Sequence, residues 1–305
     1  MAERQTNRFL ANRLAAAGLK PQSHFGQNFL IDLNLVDLIA RSAGLTKQDV
    51  VLEVGTGVGS LTTRLADQAA AVVSVEIDQH LFRLASAELA DCDNVALLQC
   101  DALQNKHTLR PELMQAVRQR LAATNGGRFL LVANLPYNVA TPIISNLLHE
   151  NPMPDVMVVT IQKEMADRLI AHPGTKDYGA LSVWVQTLGR AEIVRELSPT
   201  VFWPRPKVHS AIVKIDTSQQ QRAEIADLKY FHETLRALFF HRRKYLRSVV
   251  ISATKSYLSK SVVDQTLEQL SLDRESRVEQ LDAAEISRLI EALRQAKLAT
   301  ADQAV

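Results

Sequence analysis

The chain has 305 residues, of which 47% are hydrophobic and 22% charged, and its formal net charge is +2. With only 11 Gly and 10 Pro it is neither disordered nor collagen-like, and its length suits two domains with buried cores. Cys92 and Cys100 fit neither a zinc spacing nor a C-x-x-C redox pair, no run of about 18 apolar residues exists, and residues 1–20 lack an apolar signal core, so a cytoplasmic protein without a membrane span is expected.

Residues 1–20 read as a flexible or weakly helical arm. Leu35, Val36, Leu38 and Ile39 predict a helix over residues 34–43, which Gly44 terminates. Residues 49–54 form a short apolar strand that runs into Gly55-Thr56-Gly57-Val58-Gly59, with a helical pattern over 61–71 behind it. A strand at 72–77, a helix at 79–89 and strands at 95–100, 129–133 and 157–162 follow. Short apolar strands alternating with helices predict β-α-β units and a mainly parallel sheet, an α/β fold. Between the third and fourth strands, residues 104–128 carry Leu113, Val117 and Leu121 at four-residue spacing and predict an amphipathic helix plus loop. Strands at 191–197 and 210–215, joined by a loop with Pro199, Pro204 and Pro206, predict an antiparallel hairpin edge. Polar residues 217–221 mark a boundary, beyond which the pattern is helical. The expected division is an arm at 1–20, an α/β domain at 21–217 and a helical domain at 218–305.

The helical part holds a one-signed charge run. Arg236, Arg242, Arg243, Lys244, Arg247, Lys255 and Lys260 fall within residues 234–263, which contain no Asp or Glu. Such a field suits a polyanion, and it suits a solvated helix face as well.

Four features carry chemistry. The glycine loop after the first strand allows a tight turn and a close ligand approach, and it departs from the dinucleotide pattern because Ser60 takes the place of its last glycine. Glu76, ending the second strand, reads as an acceptor for ribose hydroxyls or as an exposed strand-end acid. Asp101, after the third strand, reads as an acceptor for an adenine amino group or as a turn cap. Asn134-Leu135-Pro136-Tyr137 closes the fourth strand, and strand ends are where open α/β sheets bind ligands. An adenine amino nitrogen is a poor nucleophile, because its lone pair is delocalised into the ring. The Asn134 side-chain oxygen and the Leu135 carbonyl could accept its two hydrogens and favour the pyramidal nitrogen of a transition state. Pro136 stiffens the turn, and Tyr137 offers a face for an unpaired base.

In this order these residues resemble the ribosomal RNA adenine dimethyltransferase family, and within it the bacterial small-subunit branch. Three further motifs carry the resemblance: Phe25-Gly26-Gln27-Asn28-Phe29-Leu30, Phe202-Trp203-Pro204-Arg205-Pro206-Lys207-Val208-His209-Ser210, and Phe240-His241-Arg242-Arg243-Lys244-Tyr245-Leu246-Arg247. The resemblance implies a Rossmann-like class I methyltransferase sheet, a smaller all-α C-terminal domain, and S-adenosylmethionine as cofactor, with no metal. It implies dimethylation of the amino groups of two adjacent adenosines in a hairpin loop near the 3′ end of small-subunit rRNA, on the immature small ribosomal subunit, by a monomer. Asn28, Leu30, Gly55, Glu76, Asp101 and Asn134 would then hold the cofactor. Asn134 and the Leu135 carbonyl would hold the target amine, Tyr137 and Phe202 would sandwich the base, and Arg242, Arg243, Lys244 and Arg247 would contact phosphates. Gln22-Ser23-His24 replaces residues that are usually basic, residues 104–128 exceed the usual length, and His209 stands where Asp is common. A DNA adenine methyltransferase, a large-subunit enzyme of the antibiotic-resistance type and a non-catalytic assembly factor are the rival readings.

Overall fold

The computed structural model describes residues 27–302; the arm expected at 1–20, Gln22-Ser23-His24 and the Phe25-Gly26 start of the first motif lie outside the described residues. Seven strands, β1 (Val50–Val54), β2 (Ala71–Glu76), β3 (Val95–Gln99), β4 (Phe129–Asn134), β5 (Val156–Gln162), β6 (Gly189–Leu197) and β7 (Ser210–Thr217), form one sheet in the order β3-β2-β1-β4-β5-β7-β6. The first five run parallel to their neighbours, and β7 is antiparallel to β5. Both β1 and β2 are buried along their whole length, which is why their sequences are continuous apolar runs rather than alternating ones. The expected edge is present, with β7 inside and β6 outermost.

The helices of this part are α1 (Leu33–Ser42), α2 (Ser60–Ala66), α3 (Gln79–Glu88), α4 (Pro111–Ala122) and α5 (Ala140–Leu147). Asp32 and Asp78 cap α1 and α3, each accepting hydrogen bonds from first-turn N–H groups. Residues 104–128 contain α4 and, ahead of it, a small hairpin of Leu103–Asn105 and Thr108–Leu109 that the helical periodicity does not announce. α4 packs on β1 and β2 through Leu113 and Val117, while Leu121 stays half-buried.

One ion pair fastens the starts of β1 and β4. The Asp49 carboxylate is 2% exposed and accepts from the Arg128 backbone N–H at 3.1 Å, from Arg128 Nε at 3.2 Å and Nη2 at 2.7 Å, and from the Thr46 N–H at 2.8 Å. Burial raises its pKa, but the Arg128 and Thr46 hydrogen bonds outweigh that and hold it below the usual carboxylate range.

Packing divides the chain into two compact units. The first is the sheet unit, the described residues up to Ala166 with Ala191–Thr217, and the second combines Asp167–Arg190 with the C-terminal residues from Ser218 on. The sequence pattern placed a single boundary near residue 217, whereas the chain passes into the second unit within α6 (Lys163–Ile170) and returns within β6. The second unit holds α7 (Ala180–Leu188), a short α8 (Gln219–Ala223), α9 (Leu228–Phe240), α10 (Leu246–Thr254), α11 (Lys260–Gln269) and α12 (Ala283–Asp302). The early segment belongs there because its large side chains do. Trp184 of α7 packs against Phe231 with ring centroids 5.9 Å apart, and buried Tyr178 donates its hydroxyl to the Leu281 carbonyl at 3.0 Å. No helix among the described residues is long and apolar enough to cross a membrane.

Replacing Asp49 by Ala removes a buried acceptor and leaves a partly solvated Arg128 without its partner, and it should cost about 1–3 kcal/mol in urea unfolding at pH 7. Because the folded-state pKa of Asp49 is depressed, its contribution is present above the unfolded value of about 3.9 and is lost as pH falls through the folded value. The deficit of the variant should therefore match at pH 7 and pH 5 and shrink only below about pH 4; a deficit that shrinks already between those two values contradicts the assignment.

Candidate active site

The order of strands reverses between β1 and β4, so the connections leaving their carboxyl ends diverge and leave a crevice between them. A cleft open to solvent lies there, at the strand ends where such sheets bind ligands. Its walls include Gln27, Asn28, Gly55, Glu76, Asp101, Asn134 and Tyr137. Of the residues singled out in the sequence for cofactor or target, Asn28, Gly55, Glu76, Asp101, Asn134, Leu135 and Tyr137 come together in this one cleft. Leu30 is buried behind it, lining a smaller adjoining hollow with Gly55, Gly57 and Asn134.

The glycine loop is glycine for steric reasons that the structure makes specific. Gly55 has φ +88° and its missing Cβ would meet the Pro136 ring at 3.4 Å; Gly57 has φ +58° and would meet the Phe29 ring at 3.3 Å. Bare backbone thus faces the cleft. The Gly57 N–H donates to Glu76 Oε2 at 2.9 Å and the Asp78 N–H to Oε1 at 3.0 Å. Burial pushes the Glu76 carboxyl up, and these backbone donors oppose that. Each carboxylate oxygen keeps a second lone pair, so Glu76 can still accept from a diol. Asp101 serves partly as the turn cap that the sequence allowed: Oδ1 accepts from the Leu103 N–H at 2.9 Å.

Asn134 is held by its amide. Its Nδ2 donates to the Asn28 carbonyl at 2.9 Å. A carbonyl only accepts, so the nitrogen faces Asn28 and Oδ1 is left on the other side as an acceptor. The Leu135 N–H donates to the Thr160 carbonyl at 3.2 Å, which fixes the backbone carrying the second acceptor. Tyr137 is half-buried, and its hydroxyl shares a 2.6 Å hydrogen bond with Ser210 Oγ. Burial raises the Tyr137 pKa above its ordinary value, against the opposing Ser210 hydrogen bond. Ser210 ends the proline-rich motif, so two motifs far apart in sequence are tied by one bond, a pairing that sequence reading does not reveal. Gln27 was also missed: its Nε2 donates to Asp78 Oδ2 at 3.1 Å from the wall of the cleft.

Phe202 departs from expectation. It pairs with Leu30 while Trp203 pairs with Phe29, in a two-residue antiparallel bridge. Side chains alternate between faces along a strand, so Leu30 and Phe202 share the inner face. Phe202 is 2% exposed among core residues that include Leu35 and Ile212, and it offers no open ring for a base. Trp203 lies on the other face, stacked on Phe29 at 6.4 Å.

Below the cleft sits a buried carboxyl that the sequence reading passed over. Glu53 of β1 is 1% exposed, and its Oε2 accepts from Thr62 Oγ1 and Ser74 Oγ, both at 2.6 Å. Ser74 in turn bonds Thr56 of the glycine loop at 2.6 Å. Burial raises the Glu53 pKa to about 8, with the two hydroxyls opposing it.

The basic residues belong to the second unit, described by itself. Arg247 is spent on Asp264, with Nε–Oδ1 at 2.6 Å and Nη2–Oδ2 at 2.9 Å. Arg242 holds the Tyr178 carbonyl, the Lys176 carbonyl at 2.9 Å and Glu279 at 3.3 Å. These two cations are paired within the helical unit, Arg247 in an ion pair at the surface, whereas Arg243 and Lys244 are exposed without such partners among the described residues.

The family described as ribosomal RNA adenine dimethylase matches residues 18–295. The chain is 38% identical over 275 residues to ribosomal RNA small subunit methyltransferase A of Caldanaerobacter subterraneus subsp. tengcongensis, covering 90% of this chain and 98% of the relative. It is 38% identical over 282 residues to the protein of the same name from Geobacillus thermodenitrificans, covering 92% and 93%. Among solved structures, a dimethyladenosine transferase from Plasmodium falciparum superposes with a TM-score of 0.73 at 24% identity over 86% of this chain and 96% of that one, and shares the fold. The 23S rRNA methyltransferase ErmE gives a TM-score of 0.62 at 26% identity over 88% and 100%.

A carboxyl with a raised folded-state pKa stays protonated in the fold while the unfolded chain has already released its proton, so stability falls as pH rises between the two values. For Glu53 that window runs from about 4.3, the ordinary glutamate value, to about 8. The Glu53→Gln variant, which has no proton to lose, should gain on the parent in urea unfolding midpoint from pH 5 to pH 8. A pH-independent difference would show that Glu53 is ionised in the fold.

Proposed function

The chain belongs to the ribosomal RNA adenine dimethylase family of S-adenosylmethionine-dependent methyltransferases, and we propose that its targets are two adjacent adenosines in a hairpin loop near the 3′ end of small-subunit rRNA. The observation that carries the chemistry is the Asn28–Asn134 bond, which engages the amide nitrogen and leaves the oxygen as an acceptor on a residue that lines the cleft with Gly55, Glu76 and Asp101. The residues present fit the cofactor: bare glycine backbone, a ribose-binding carboxylate in Glu76 and a strand-end acid in Asp101 form the donor and acceptor set that such a molecule needs. When bound, it supplies an electrophilic methyl carbon on a sulfonium.

The chain's own residues then do three things. Asn28, with Gly55 beneath and Leu30 behind, shapes the methionine end, while Glu76 takes the ribose hydroxyls and Asp101 the adenine. Asn134 Oδ1 and the Leu135 carbonyl accept the two hydrogens of the target amine. This fixes its orientation and favours the pyramidal nitrogen that attacks, by preorganised electrostatics rather than by a general base. Tyr137 gives the splayed-out base a stacking face, its ring held by Ser210. Phe202 has no part in that sandwich while it stays in the core.

The substrate is rRNA, and the finer reading is the immature small ribosomal subunit, met by a monomer in the cytoplasm, with the helical unit gripping RNA phosphates. The higher identity to the small-subunit relatives than to the 23S enzyme supports this choice over the large-subunit one. Tritiated methyl transfer offered side by side to small subunits, large subunits and duplex DNA tests it: label in the small-subunit RNA alone is expected, and label only in large subunits or DNA overturns it.

Asn134→Ala should abolish turnover while leaving cofactor affinity within a few-fold. Asn134→Asp should also fail, because a carboxylate cannot donate to the Asn28 carbonyl and would be repelled by it. Calorimetric titration with the cofactor and single-turnover transfer check both; an active Asp variant at neutral pH would show that the amide nitrogen is dispensable.

A further inference from the structure

The second unit hides its aromatic residues with two exceptions. Trp184 packs on Phe231, Tyr178 on Phe239 and Tyr230 on Tyr257. Phe240 and Tyr245 are 79% and 58% exposed, the two most exposed large apolar side chains among the described residues, although the Phe240 ring meets the neighbouring His241 ring edge-on at 4.7 Å. They stand on either side of one turn. Phe240 is the last residue of α9, the Lys244 N–H donates to the His241 carbonyl at 2.9 Å, and Tyr245 caps the start of α10. A turn closed by such a bond holds the backbone of its end residues within about 7 Å, so Phe240 and Tyr245 flank one tight turn. That turn is anchored from behind: the Leu246 N–H donates to the Ser276 carbonyl at 2.7 Å, and Arg242, inside the turn, is tied to Glu279.

The cations on this turn are of two kinds. Arg242 is consumed by the unit's own carbonyls and carboxylate. Arg243 and Lys244 are exposed, and neither has a side-chain hydrogen bond or ion pair among the described residues. Two uncommitted cations bracketed by two open rings, within a 30-residue stretch free of Asp and Glu, match an anionic chain that also presents flat apolar faces. A duplex stacks its own bases and leaves none for outside rings, so the chemistry points to an unpaired stretch.

Resting on the reading of this protein as an rRNA enzyme, we propose that Phe240 and Tyr245 form a stacking platform for unpaired bases of the substrate RNA, with Arg243 and Lys244 holding the intervening phosphates. The platform is a binding surface of the helical unit and is separate from the residues assigned to the methylated adenosine. Stacking gives it preference for single strands without reading sequence.

The test uses the full chain and two labelled RNA probes, single-stranded oligoadenylate and a duplex of equal length, followed by anisotropy, with small ribosomal subunits as a third ligand. Phe240→Ala with Tyr245→Ala should weaken single-strand binding about tenfold or more while duplex binding holds. Phe240→Tyr with Tyr245→Phe should restore it. Arg243→Ala with Lys244→Ala should weaken both probes and flatten the single-strand salt dependence by roughly 0.7 per cation removed. All four side chains are exposed, and an unchanged thermal midpoint verifies that each variant folds. Single-strand affinity that survives loss of both rings overturns the proposal. So does a ring variant that loses subunits but keeps oligoadenylate, since the rings then meet a ribosomal protein. If the unaltered enzyme transfers no methyl group to small subunits, the functional reading fails instead, and the two failures are distinct.

Discussion

In a parallel sheet whose strand order reverses, the chain leaves two neighbouring central strands toward opposite sides, and no connection covers the gap at their carboxyl ends. Here β1 leads through α2 toward β2, while β4 leads through α5 toward β5. Gly55 follows the first of these strands, and Asn134 ends the second. Their proximity follows from the topology, and the Gly55 backbone, at φ +88°, is one that an L side chain would strain. Glu76 and Asp101 reach the same cleft because β2 and β3 continue the sheet in order on one side. The site is thus carried on strand ends, the stiffest places from which a turn can be launched, and its acceptors need little reorganisation when charge moves.

The polar groups at and under the cleft are sorted by the kind of donor they meet. Glu76 is clasped by two backbone N–H groups, which cannot turn away and oppose the cost of its burial, although burial still leaves its pKa raised. Glu53, only a few residues from the cleft but wholly enclosed, meets hydroxyls alone, and burial prevails. Thr62 and Ser74 both donate to Glu53, and Ser74 also bonds Thr56, so these four side chains form one network joining α2, β1, β2 and the glycine loop. The loop that must stay open above is therefore fixed from below. The same economy appears at Asn134, where a side-chain nitrogen is used up on Asn28 so that the oxygen's direction is settled before any ligand arrives.

What the sequence made legible is what lies in contiguous residues. The strands and their order of appearance, the glycine loop, Glu76, Asp101 and the Asn134–Tyr137 turn were readable because alternating short apolar runs and special backbone residues leave local signatures. Contacts made by backbone atoms or by distant partners leave none. The carbonyl of Asn28 could belong to any residue type, and nothing in the string links Ser210 to Tyr137. Phe202 was read as an open ring because its motif fixes its identity but not its face; the register against Leu30 decides that, and register is a property of the pair. Asp167–Arg190 sits with the C-terminal helices through Tyr178 and Trp184, whose partners lie far along the chain, beyond the reach of a boundary drawn from composition.

Charge counting illustrates the same gap between residue type and physical role. The acid-free run reads as a uniform positive field, yet two of its arginines answer carboxylates brought in from outside the run, Asp264 to Arg247 and Glu279 to Arg242. A cation paired in this way contributes little field at a distance and cannot release a counterion when a phosphate arrives, because its counterion is part of the fold. The effective basic surface of the turn is consequently narrower than the sequence suggests, and it coincides with the two residues flanked by exposed rings. A patch with fewer free cations and adjacent aromatic faces relies less on counterion release and more on the shape and pairing state of the RNA. For an enzyme whose target bases must be unpaired, that shifts recognition toward the feature that matters chemically.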